Sequence, residues 1–201
     1  MATPSKTSGQ TLSAWASVAS AAVSVGSPVD VSTKLGATVF ARLGRGTGTA
    51  FTAGWPNIRI EASPKSSGDN SWVPLVIFQP GVGVATLVNT TLNGAVSAGA
   101  SSFTVTSASN IAVGDVLFLG DTSSSNYEIV RVKGVSGTTI TPEENIVNAH
   151  ANAAQVTDQA EMYQANLDLS SVVRIRAVID NAGSGQAIYA EVTISYLDSI
   201  G

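Results

Sequence analysis

In residues 172 to 196, two runs of alternating apolar and polar residues flank a short loop that contains glycine. Val173, Ile175, Ala177 and Ile179 share one phase of the first run, and Ile188, Ala190, Val192, Ile194 and Tyr196 share one phase of the second. A period of two is that of a strand with one buried face. With Ala182 to Gly185 as the loop, the stretch predicts a β-hairpin in which Ile175 meets Val192 and Arg176 meets Glu191. Apolar then faces apolar, and opposite charges face each other across the ladder. A slip of one residue would turn every apolar side chain into water.

The same period recurs upstream. Leu12, Ala14, Ala16 and Val18 alternate, as do Ala37, Val39, Ala41 and Leu43, and Ile58, Ile60 and Ala62 alternate around Arg59 and Glu61. Residues 63 to 70 are a loop by composition, and a further strand follows from Trp72 to Phe78, with Pro74 marking an edge position or a bulge. Short strands at this spacing predict an antiparallel β-sandwich. Past Asn93 the pattern changes to Phe103, Val105, Val116, Phe118, Ile129, Val132, Val135 and Ile140, separated by the turns Val113-Gly114-Asp115, Gly120-Asp121-Thr122 and Val135-Ser136-Gly137. These predict a second, small β-barrel-like module inserted into the first. The expected organisation is all-β: a flexible N-terminal arm at 1–11, a discontinuous sandwich of 12–92 plus 161–201, and an inserted module at 93–160.

Composition narrows function. Only 12% of the 201 residues are charged, against about 25% in an average soluble chain, so part of the surface is expected to be covered by other protein. The net charge of -4, with no basic stripe, argues against nucleic acid as a partner. Without cysteine there is neither a disulfide framework nor a thiolate site, and a lone histidine makes structural zinc untenable. No apolar run is long enough for a membrane helix, and Met1 to Gln10 lacks the apolar core of a signal peptide. The expectation is synthesis in a cytoplasm with no membrane partner.

Two stretches carry a resemblance. Gly99 to Thr106, Val113 to Leu119, Tyr127 to Val132, Gly137 to Thr141 and Ala149 to Ala151 are similar to a small β-module that recurs in bacteriophage head and tail structural proteins. Asp30 to Phe40, Ile58 to Trp72 and Val173 to Ile200, including Ile179-Asp180-Asn181 and the ending Tyr196 to Ile200, resemble the sandwich cores of phage decoration and other minor structural proteins. The resemblance implies a virion structural protein made in the bacterial host cytoplasm. Its foremost form is a capsid decoration, or cement, protein that binds the major capsid protein as a homo-oligomer, a trimer being favoured. A tail or neck component is the alternative.

No residue is assigned a catalytic, cofactor-binding or metal-ligating role, and the chain is not expected to be an enzyme. His150 has only Asn148, Ala149, Ala151 and Asn152 around it in sequence, none of which would orient a catalytic imidazole. Gly134-Val135-Ser136-Gly137 reads as a hairpin turn, not a nucleophile elbow. Gly44, Gly46 and Gly48 lack the lysine of a phosphate loop and read as a plain turn. Glu143 and Glu144 are adjacent, so their carboxylates diverge. Asp121 to Glu128 lacks the acidic density of a calcium loop. Asn89-Thr90-Thr91 matches a glycosylation acceptor by chance. Trp15 and Trp72 read as core or interface anchors. Trp55, between Gly54 and Pro56, is the tryptophan expected to be exposed, and it motivates an alternative from another class, a carbohydrate-binding module for host adhesion.

Overall fold

The structure is a computed structural model and describes residues 4–45, 56–68, 70–80, 87–120, 126–158 and 160–200. It is all-β, with antiparallel ladders throughout. Sheet A contains β1 (Pro4–Val18), β4 (Gly36–Arg45), β13 (Glu161–Asp168) and β15 (Ile188–Ile200), in the order β1-β15-β4-β13. Sheet B runs β2 (Val23–Val25), β14 (Arg174–Asp180), β5 (Asn57–Ser63) and β6 (Val73–Phe78), with β3 (Val29–Asp30) also on β14. The two sheets pack face to face, and one core takes Val39, Ala41, Leu43, Val192 and Ile194 from sheet A and Ile58, Ile60, Ile175 and Ile179 from sheet B.

The predicted hairpin is corrected by this arrangement. Both runs are strands, but β14 and β15 lie in different sheets. Ile175 pairs with Ala62 and Val192 with Ala41. Arg176 finds its opposite charge in Glu61, at 2.8 Å, and Glu191 finds Arg42, at 2.6 Å. The two apolar faces meet across the sandwich instead of lying side by side, a placement that the same alternation permits. Asn181 holds the crossing between the sheets. Fully buried, its amide nitrogen lies 2.9 Å from the carbonyls of Val18 and Ala19 and 2.8 Å from that of Gln186. It thereby ties the β14–β15 corner to the β1–β2 corner, where Ala21 takes a φ of 61°.

Residues 4 to 11, expected as part of a flexible arm, are instead the first half of β1. They pair with β15 from Pro4↔Ile200 to Thr11↔Thr193. Without β1, the outer edge of that long C-terminal strand would leave its backbone groups unpaired. Bulges between Thr7 and Ala16 break the alternation, so Leu12 and Val18 enter the sandwich core while Trp15 points elsewhere.

Sheet C is formed by β7 (Asn89–Thr91), β8 (Phe103–Thr104), β9 (Val116–Gly120), β10 (Tyr127–Ser136), β11 (Thr139–Pro142) and β12 (Gln155–Thr157), in the order β7-β12-β9-β10-β11-β8. β7 lies before residue 93, yet it pairs with β12 in this sheet. The sheet curls over its own core of Leu92, Phe103, Val105, Leu117, Leu119, Val132, Ile140 and Val156. Its edges meet around the Leu92↔Val105 bridge, where the Asn93 N–H donates to the Thr104 carbonyl and the Thr106 N–H to that of Thr91, so the module is a part-closed barrel.

Candidate functional site

Three places gather polar or aromatic side chains. The first is the seam between sheet C and the sandwich. Trp15 of β1 stacks on Tyr127 of β10 with ring centroids 4.2 Å apart, and Phe118 of β9 stacks on Tyr189 of β15 at 5.5 Å. A Cβ on Gly44 would come within 2.7 Å of Phe118 Cδ2, so glycine is what lets that ring reach β4. One residue on, Arg45 is 0% exposed. It donates to Asp158 Oδ1 at 2.7 Å and to the Val88 carbonyl at 2.6 Å, while Asp158 Oδ2 accepts the Val88 N–H. The chain enters sheet C at Val88 and leaves it at Asp158, so this ion pair fastens both strands of the connection. Burial lowers the Arg45 pKa, and the Asp158 carboxylate works against that shift.

The second is His150, 3% exposed, whose Nε2 lies 2.7 Å from Glu128 Oε1. Glu128 also accepts the N–H groups of Val147, at 2.9 Å, and Asn148, at 3.4 Å. Burial pushes the Glu128 carboxyl up, but the His150 hydrogen bond and the two amides outweigh it and hold the group below its ordinary value. The imidazole therefore does have a carboxylate partner, which its sequence neighbours did not supply. Beside the pair, Arg42, Tyr127, Glu128, Asn148 and Glu191 line a cleft of about 340 Å³. Its polar groups are already engaged with one another: Arg42 pairs with Glu191, and Glu128 is hydrogen-bonded to His150. The Tyr127 phenol is pushed up, chiefly by burial.

The third is the outer surface of sheet B. Arg59 binds Asp180 at 2.9 Å, Arg176 binds Glu61, and Arg176 and Arg174 lie 4.2 and 4.9 Å from the Trp72 ring centre. Arg174 also donates to the carbonyls of Lys65 and Gly68, fixing the backbone of 65–68. Apolar residues stand exposed at both edges: Val73, Leu75 and Ile77 on β6 at 59, 40 and 54%, and Val23 and Val25 on β2 at 49 and 53%. The β5–β6 ladder shifts register opposite Leu75, and Pro74 has no N–H for a further strand.

The remaining candidates are dispersed. Ser136 and Gly137 sit in the β10–β11 hairpin, with Gly137 at a φ of 60°. Gly44 belongs to strand β4, not to a turn, while Gly46, Gly48 and Trp55 lie outside the described residues. Glu143 and Glu144 are exposed after β11, Glu143 lying 3.8 Å from Arg131. Residues 121–125 lie outside the described residues. Thr90 of the glycosylation match is buried, and its hydroxyl accepts the Ser107 N–H. Among the described residues, no cluster of three or more histidines or acids could hold a metal, and no helix is long and apolar enough to cross a membrane.

No protein-family model matches the chain, and no curated protein matches it. Among solved structures it is similar to the Gp54 tailspike of Acinetobacter baumannii bacteriophage AP22, in complex with A. baumannii capsular saccharide, at 23% identity and a TM-score of 0.32. That match covers 38% of this chain and 15% of the tailspike. It is also similar to the SPBc2 prophage-derived protein YomS, at 10% identity and a TM-score of 0.30, over 97% of this chain and 96% of that one. Both neighbours are of phage or prophage origin.

Proposed function

We propose that this chain is a phage virion structural protein that acts by docking, foremost as a capsid decoration protein that self-associates and cements the head lattice. The observation that carries the reading is the outer surface of sheet B, with aliphatic side chains exposed along both edges and its central ion pairs satisfied internally. Exposed apolar groups of this kind mark protein interfaces. Because Arg59 and Arg176 are matched by Asp180 and Glu61, and Arg174 donates to the Lys65 and Gly68 carbonyls, the surface calls for an apolar partner rather than a highly charged one. Pro74 on β6 disfavours addition of a further strand, so contact would run through side chains. The resemblance of both halves of the chain to phage structural modules supports the setting in a virion.

Such a protein works by linkage. Surface that is buried only on the assembled lattice stabilises that lattice over its separated parts. No bond-making step belongs to the proposal. Its test is the melting of empty heads with and without added protein, together with imaging of particles that carry a label on this chain. A raised melting temperature and label over the head support decoration. Unchanged melting with label on the tail or neck would replace it with the tail reading.

A further inference from the structure

The opposite surface of the sandwich has a different chemistry. On sheet A, ladder register sets Ser195, Thr38 and Asn166 side by side, and on the next rung Thr193, Phe40 and Gln164. These residues face outward, because the alternating positions Val39, Ala41, Val192 and Ile194 are fully buried in the core. Two complete rungs thus carry amides and hydroxyls around one aromatic ring and no charge. Phe40 is 44% exposed although a β-branched or polar residue would serve the strand equally well. The rungs floor a groove of about 580 Å³, with Lys6 at its β1 side, a size within the roughly 300–1,000 Å³ of small-ligand sites. The Thr38 hydroxyl donates to Asn166 Oδ1 at 2.8 Å and so fixes that amide, whose N–H groups have no protein acceptor among the described residues.

We propose that this groove on the outer face of sheet A binds a neutral or N-acetylated saccharide, with Phe40 as the platform and Thr38, Gln164, Asn166 and Ser195 as the hydrogen-bonding rim. The C–H face of a pyranose is apolar and its edge is ringed with hydroxyls, so a flat ring bordered by fixed amides complements both. Arg42 and Glu191, on the rung beyond Phe40, neutralise each other at 2.6 Å, and the acid on the rung beyond Thr38 is Asp168, so among the described lining residues only Lys6 is a cation that could attract an acidic sugar. A nucleic acid would require several cations along the groove, and they are missing among its described lining residues. The inference stands apart from the docking proposed for sheet B, since it uses the other face.

The full chain is titrated with tetra-N-acetylchitotetraose, with cellotetraose and with a hyaluronan tetrasaccharide as acidic control, each followed by amide chemical shifts. Binding of a neutral tetrasaccharide is expected, with the shifts centred on β4 and β13. Phe40→Thr, which keeps a good strand former, is expected to weaken it at least about tenfold without changing the melting temperature, and Asn166→Ala to weaken it less. No binding of either neutral sugar, binding of the acidic one alone, or an affinity indifferent to Phe40→Thr would overturn the site. So would loss of self-association in Phe40→Thr, which would make the groove a subunit contact.

Discussion

The sandwich gathers its core from strands at both ends of the chain, whereas sheet C closes over a core drawn from one continuous stretch. In the sandwich, partners such as Ile175 and Ala62 lie far apart in sequence, and a buried amide, Asn181, is needed to bring two corners into place. In the insert, β10 and β11 are joined by a tight turn, every partner lies within one stretch of the chain, and the polar anchor, Glu128 with His150, lies between nearby segments. Non-local pairing must overcome loop-closure entropy before it gains contacts, so it is the sandwich that depends on devices outside its apolar core.

The seam joins these two kinds of core, and breaking it gives the largest effect. Asp158→Asn leaves the buried Arg45 without its counter-charge and should cost about 3–5 kcal/mol. Scanning calorimetry should then show one transition split into two, the insert and the sandwich melting separately. A transition that stays single would mean that the aromatic stack, not the ion pair, couples them. Next comes Asn181→Ala, which orphans carbonyls at both corners and should cost about 3 kcal/mol. Hydrogen exchange should speed up in β2 and β14 while sheet C keeps its protection.

Glu128→Gln should confine its damage to the insert, at about 1.5 kcal/mol near neutral pH. Because the folded Glu128 pKa lies below the ordinary 4.5, its contribution is full above that value and is lost as pH falls through the lowered one. The melting temperatures of wild type and variant should therefore converge in acid, and a gap that persists there would contradict the charged hydrogen bonds. Smallest is Arg176→Ala. Its ion pair with Glu61 and its stacking on Trp72 are partly exposed, so urea denaturation should register under about 1 kcal/mol.

The same contrast explains what could be read from sequence. Most strand positions followed from alternation, though not that of β13, and the insert's turns from local residues such as Gly114 and Gly137, both at positive φ. Which strand pairs with which did not follow, because a strand with one apolar face fits equally beside or across from another. Arg176 required an opposite charge next to it, and both Glu191 and Glu61 met that requirement. The first half of β1 was missed because a polar edge strand carries no apolar phase to announce it. Two of the buried charges were legible after all. Arg45 continues the phase of Val39, Ala41 and Leu43, and Glu128 that of Val130 and Val132, and an ion in an apolar phase calls for a buried partner.

The docking role of sheet B is tested most directly by native mass spectrometry of the full chain and of Leu75→Lys at micromolar concentration. A closed oligomer for the wild type and a monomer with unchanged melting temperature for the variant is the predicted result. A wild type that is strictly monomeric, or a variant that assembles as well as its parent, would contradict it.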